Sequence, residues 1–335
     1  KDDFIELMQK LPDIITSNVK RSGEYTKAVA NMNKIYTEFL RHIENNSTPY
    51  FSMRYQGHML WDNTLPALAG YFATMLHNPN NVTIQASTAT TPLAIQVGKD
   101  LCQMVGYPER GEETSPWANI VVDGSIANNE ATWATREAKF LPLSLREMLN
   151  GRSEWKGALD VELKLCNGKG KYFKDATNWE LFNIKIDDIL DIPKQISDYL
   201  KYSAHLEIDE WDIWNAVIPY TMNYLGWDKM MKLLKRDGTV KGAPVILVPS
   251  TKHYSWPKAS ATNGFGIEQM VNIFVDKNAR MDTTELSKEL SKHEKAHIPV
   301  MLVVVVAGTT EEGAIDPIKE VIAMREDSHR EGLDF

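Results

Sequence analysis

The chain has 335 residues, 43% of them hydrophobic, which is enough to bury a sizeable core. Its 37 basic and 45 acidic residues leave a net charge of −8, and no basic run stands out, so nucleic acid and anionic membrane surfaces are poor partners and small molecules better ones. Cys102 and Cys166 are too few for a disulfide framework or a Cys-rich zinc site and fit a reducing compartment, so a cytoplasmic location is expected.

No N-terminal stretch has the charged-then-apolar layout of a signal peptide, and residues 1 to about 50 read as helices. Ala28, Met32, Ile35, Phe39 and Ile43 recur at three- and four-residue steps, one apolar face that must dock on something. Asn46-Ser47-Thr48 and Asn81-Val82-Thr83 match the glycosylation sequon, which means little without a secretion signal. From Asn119 the pattern becomes strand, sharp turn, helix: NIVV, DGSIANN, EATWATREAKF.

Residues 151–240 read as a mostly helical insertion. NGKGKY is an exposed turn, and the aromatics of DEWDIWNAVIPYTMNYLGWDKMMKLLK are expected to pack the insertion against the sheet. The strand unit then returns in VILV, MVNIFVD and VMLVVVV, each followed by a loop and a helix. Strands alternating with helices predict an α/β fold with a mostly parallel sheet covered on both faces, which continuous valine runs suit. The longest such run, Val300–Ala307, falls far short of the ~20 residues a membrane helix needs.

Asp282 with Glu285 has capping-box spacing, and Asp316-Pro317 pairs an N-cap with proline at the first helical position. Gly332 sits where a C-cap glycine belongs, and Leu333-Asp334-Phe335 is expected to begin another strand. Either further polypeptide or a partner is then expected to cover that edge.

Three loops lie where a ligand binds, beyond the carboxyl ends of strands. Asp123-Gly124-Ser125 could offer backbone N–H groups, a helix dipole and a hydroxyl to a phosphate, although any strand-to-helix junction looks similar. In PSTKHYSW, His253 taken alone reads more readily as a histidine hydrogen-bonded within the interior with no ligand. Gly308-Thr309-Thr310 supplies two hydroxyls, which could also do no more than close a strand end. Their convergence at one rim suits a flat phosphorylated cofactor. No HExxH helix, P-loop or GxSxG elbow is present, and NGKGK lacks the context of a dinucleotide fingerprint, so metal hydrolysis and hydride transfer on a Rossmann unit lack support.

In order, GHMLWDNTLPALAGYFATMLHNPNNVTIQASTATT, VGKDLCQMVGY, NIVVDGSIAN, PSTKHYSWPKA, NARMD and VAGTTEEGAIDPI resemble blocks of the group II pyridoxal-phosphate-dependent amino-acid decarboxylases, nearest the tyrosine decarboxylase branch. The resemblance runs from about residue 50 to 320 and is least in the insertion. It implies the aspartate-aminotransferase (type I) fold, with residues 1–85 a helical segment wrapping a homodimer partner and 86–335 the first part of the cofactor domain. It implies pyridoxal 5'-phosphate as cofactor, with Gly124 and Ser125 at its phosphate, His253 stacked on its ring, Thr310 beside it and Thr91 at the substrate end.

Two departures accompany it. Ala94 and Gln96 stand in LAIQVG, where family members commonly carry carboxylates. The family's Asp-Ala pair at the pyridine nitrogen and its Schiff-base lysine are expected beyond Phe335, on a remaining C-terminal part of the polypeptide that could be a separate fragment. The implied reaction is decarboxylation of an aromatic L-amino acid such as tyrosine, tryptophan or phenylalanine. Alternatives are a glutamate or aspartate decarboxylase of the same family and a non-catalytic cofactor-binding paralogue.

Overall fold

The computed structural model describes residues 23–50, 52–57, 63–107 and 116–335. Residues 58–62 of the first family-like block, and residues 1–22 of the stretch expected to be helical, therefore lie outside the described residues. The chain divides into two compact units, Lys1–Ala73 and Thr74–Phe335.

In the first unit, α1 (Gly23–Asn46) is the helix its periodicity predicts. None of its residues is buried, and Met32, Ile35, Phe39 and Ile43 form an open apolar stripe beside a shallow groove lined with Ala28 and Tyr36. Helix α2 (Leu65–His77) runs across the unit boundary.

In the second unit, α3 (Thr90–Met104) is followed by α4 (Gly124–Asn150), the long helix on which the rest is organised. A one-sided helix needs only one apolar stripe, yet from Phe140 to Leu149 α4 is buried at almost every position. The reason is that it has a core on each side. Phe140 and Leu143 face a core built on the sheet, whereas Leu141, Leu145, Met148 and Leu149 face a second core in the insertion.

That second core is closed by the hairpin β1 (Glu162–Lys164) and β2 (Gly170–Tyr172), whose tip is the NGKGK turn. The helices α5 (Asn178–Phe182), α6 (Ile186–Leu190), α7 (Ile192–Tyr202) and α8 (Glu210–Val217) complete it. Next come α9 (Met222–Leu225) and α10 (Trp227–Leu234). Trp227, Met230, Met231 and Leu234 do pack on the sheet core, but Trp211 is exposed, so only part of the aromatic segment does what its composition suggests.

The sheet has strand order β4-β3-β5 and is parallel throughout: β3 (Val245–Pro249) lies between β4 (Met270–Ile273) and β5 (Val300–Val303). Every residue of β3 is buried, which is why its sequence is an unbroken apolar run. Helices α11 (Ser255–Thr262), α12 (Thr283–Lys295) and α13 (Ile318–Glu331) follow these strands in turn.

Three local expectations need correction. NIVV forms no strand among the described residues, and Ile120 and Val122 are exposed; β-propensity makes a strand only where a neighbour takes up its backbone groups. Asp316 does not cap α13. Its two carboxylate oxygens accept the Met281 and Val306 N–H groups, each at 2.7 Å, tying together the segments that follow β4 and β5.

Leu333 and Asp334 are buried without strand pairing. What fixes them is charge: Lys139 Nζ, within α4, forms an ion pair with Asp334 and also donates to its carbonyl at 3.0 Å. By contrast Asp282 caps α12 through Thr284 and Glu285 N–H, and Gly332 ends α13 in the left-handed region at φ 88°.

Candidate functional site

Asp123 is extended (φ −162°, ψ 174°), and its Oδ1 accepts the Ile126 N–H at 2.8 Å, which stops the preceding segment and starts α4. The N–H groups of Gly124 and Ser125 precede the first intrahelical bond and have no partner among the described residues. A Cβ added at Gly124 would meet no atom within 4 Å, so the space over this turn is open. Unpaired donors, the positive end of a 27-residue helix and the Ser125 hydroxyl together suit an anion.

His253 lies between β3 and α11, and its ring is exposed. Its Nδ1 sits 2.8 Å from Ser255 Oγ and 3.2 Å from the Ser255 backbone N. Ser255 is buried, and its Oγ accepts from Asn128 Nδ2 at 2.8 Å. Asn128 is three residues beyond Ser125, one turn along α4. A hydrogen-bonded chain therefore runs from Asn128 of α4, through Ser255, to the imidazole.

The contact between α4 and α11 is reinforced further down. Asn263 Nδ2 donates to Asn129 Oδ1 at 3.0 Å, and Arg136 Nη1 donates to the Asn263 carbonyl at 2.7 Å. On the loop itself, Tyr254 stacks near His253 with ring centroids 4.1 Å apart, and Lys252 Nζ donates to Asn272. Thr251 Oγ1 is buried with no hydrogen-bond partner among the described residues.

The two threonines after β5 have different surroundings. Thr309 is buried; its hydroxyl donates to Glu312 Oε2 at 2.9 Å and accepts the Ala314 N–H at 3.0 Å, so it closes its own turn. Thr310 is exposed, with no such bond. Thr91 is buried in the first turn of α3, and its hydroxyl donates to the Thr83 carbonyl at 3.3 Å. Gln96 bonds Asp100 on the same helix.

Of the residues singled out from sequence, His253 is thus tied through Ser255 and Asn128 to the helix that Gly124 and Ser125 begin. Among the described residues no hydrogen bond connects Thr91 or Thr310 to them. Asn128 and Ser255 escaped the sequence reading. The signal for Asn128 was its helical spacing from Ser125, and for Ser255 its position two residues after the histidine.

No family model matches the chain. Over 327 residues it is 32% identical to an L-tyrosine decarboxylase of Enterococcus faecalis, a match that takes in 97% of this chain and 44% of that protein. An L-tyrosine decarboxylase of Levilactobacillus brevis is also 32% identical, with the same coverage. The chain thus spans less than half the length of these curated relatives. Among solved structures, Oryza sativa TDC with PLP and tryptamine superposes with TM-score 0.54 at 15% identity, over 97% of this chain and 53% of that one. Mouse CSAD in apo form gives TM-score 0.52 at 16% identity, over 99% of this chain and 54% of that one.

Proposed function

Because this chain belongs to the group II pyridoxal-phosphate-dependent amino-acid decarboxylases, on the tyrosine decarboxylase branch, we propose that the whole protein converts an aromatic L-amino acid to its amine and CO2. The observation that carries this reading is the match to L-tyrosine decarboxylases along 97% of the chain. The geometry supports it. The turn with open N–H groups and open space fits the phosphate of pyridoxal 5'-phosphate, and the exposed His253 ring, held from behind by Ser255, suits stacking on a flat heterocycle.

When bound, this cofactor supplies an electron sink for the bond that breaks. The chain's own residues bind and orient. Gly124 and Ser125 would hold the phosphate with N–H and O–H donors, and His253 would limit rotation of the ring. Thr310 would lie beside the cofactor and Thr91 toward the substrate. Orientation of this kind decides which bond at Cα is cleaved and supplies much of the rate. The Schiff-base lysine comes from polypeptide outside residues 1–335.

A homodimer in the cytoplasm completes the proposal. The open stripe of Met32, Ile35 and Phe39 on α1 supports the first part, and the free, buried Cys102 and Cys166 the second. The test is CO2 and amine release by the full-length protein with pyridoxal 5'-phosphate, offered tyrosine, tryptophan, phenylalanine, glutamate and aspartate in turn. Turnover of the aromatic substrates supports the proposal. Turnover of the acidic ones alone, or of none, refutes it.

A further inference from the structure

The surroundings of His253 fix more than its position. A backbone N–H can only donate, and the Ser255 N–H points at His253 Nδ1 from 3.2 Å. The Ser255 hydroxyl lies 2.8 Å from the same nitrogen and accepts the Asn128 Nδ2–H at 2.8 Å, while the Ser255 N–H already claims the nitrogen as an acceptor. The hydroxyl hydrogen is thereby left for His253. Two donors converge on Nδ1, so that nitrogen has to keep its lone pair.

We propose that Ser255, oriented by Asn128, is a positioning residue that holds His253 as the neutral tautomer with its proton on Nε2. The consequence for chemistry rests on the cofactor reading given above. A pyridine ring that acts as an electron sink carries positive charge on its nitrogen, and an imidazolium stacked on it would add a like charge at van der Waals distance. A proton placed on Nδ1 would break both hydrogen bonds from Ser255, so the geometry works against an imidazolium there. The outward Nε2–H is left as a donor. Such a device needs the buried hydroxyl and the amide together, which is why the link from α4 to α11 passes through the site.

The experiment is 15N magnetic resonance of the full-length protein labelled at histidine, without added amino acid, with and without pyridoxal 5'-phosphate. His253 is assigned from its loss in His253→Gln. The expected wild-type spectrum has a pyridine-like Nδ1 and a pyrrole-like Nε2, the Nε2–H form exceeding the other by about tenfold, the ratio one hydrogen bond of ordinary net strength sustains. Asn128→Asp replaces the amide donor with an acceptor, which draws the Ser255 hydrogen away and shifts the population several-fold toward Nδ1–H.

A wild-type ring protonated at Nδ1 overturns the inference, as does an unchanged ratio in a folded Asn128→Asp protein. If that variant fails to fold, the wild-type spectrum decides alone. Because the tautomer is read without turnover, a protein with the expected spectrum but no decarboxylation would refute the functional reading and leave this one standing. The opposite pair of results would do the reverse.

Discussion

Asn128 Nδ2 lies 2.8 Å from Ser255 Oγ across 127 positions of sequence, and this contact ties the helix that begins at Gly124 to the loop that carries His253. Each part of the proposed site is thereby braced by the other.

His253→Ala should separate function from folding. The ring is exposed, and its loss leaves the Ser255 donors short of one acceptor, a cost of about 1 kcal/mol in thermal denaturation. If the ring orients the cofactor, kcat of the full-length protein on tyrosine falls by ~10²-fold. A variant with unchanged kcat would remove His253 from the mechanism.

Gly98→Ala and Gly124→Ala should differ sharply in stability. On α3, a Cβ at Gly98 would collide with the Ala118 carbonyl oxygen, a backbone atom, and relief of such overpacking costs about 1–3 kcal/mol. Over the turn at Gly124 there is open space, so alanine there leaves the denaturation midpoint nearly unchanged. Equal midpoints for the two variants would show that α3 does not pack on the segment leading to Asp123.

The buried group at the end of α13 predicts a pH dependence. Lys139 pairs with Asp334, whose other oxygen lies 2.7 Å from His329 Nε2. Burial holds the His329 imidazole below its ordinary value, outweighing the attraction of that carboxylate. The unfolded chain then binds the proton more readily than the folded one. This stabilising contribution is full above about pH 6.5 and is lost as pH falls through the lower folded value. Urea denaturation between pH 7.5 and 5 should show a steeper loss of stability in wild type than in His329→Gln.

Removing the counter-ion should cost more. Asp334→Ala leaves the Lys139 ammonium buried and unpaired, and the expected loss is about 3–5 kcal/mol. A loss under about 1 kcal/mol in urea denaturation would mean that the pair is not buried in solution.

Cys166 should be inert. Burial, with Asp334 nearby, pushes its thiol up to about 11. At pH 8 only about a thousandth of it is thiolate, the form that reacts. Labelling by iodoacetamide, read by peptide mass spectrometry, should be roughly 100-fold slower in the native protein than in urea. Rapid native labelling would contradict the burial of Cys166, whose Sγ lies 3.8 Å from the His329 carbonyl near the end of α13.

Much of this architecture is legible in the sequence where the determinants are local. The run at Val245–Val248 declares a strand buried on both faces, Asp282 and Gly332 mark helix ends, and Asp123-Gly124-Ser125 marks a helix start with open donors. What escaped depends on distant partners. Asp316 has the local chemistry of a cap, yet Met281 and Val306 claim its oxygens. Ile120 and Val122 have strand propensity and no neighbour to pair with among the described residues. Ser255 acquires its meaning only when α4 brings Asn128 to it.

The central claim is that the Gly124–Ser125 turn and His253 hold one and the same molecule. The dissociation constant of pyridoxal 5'-phosphate from the full-length protein, measured for wild type, Ser125→Ala and His253→Ala, tests it most directly. Loss of one hydrogen bond or one stacking contact should raise that constant about tenfold in each variant. Wild-type binding in both would place the cofactor elsewhere and contradict the account.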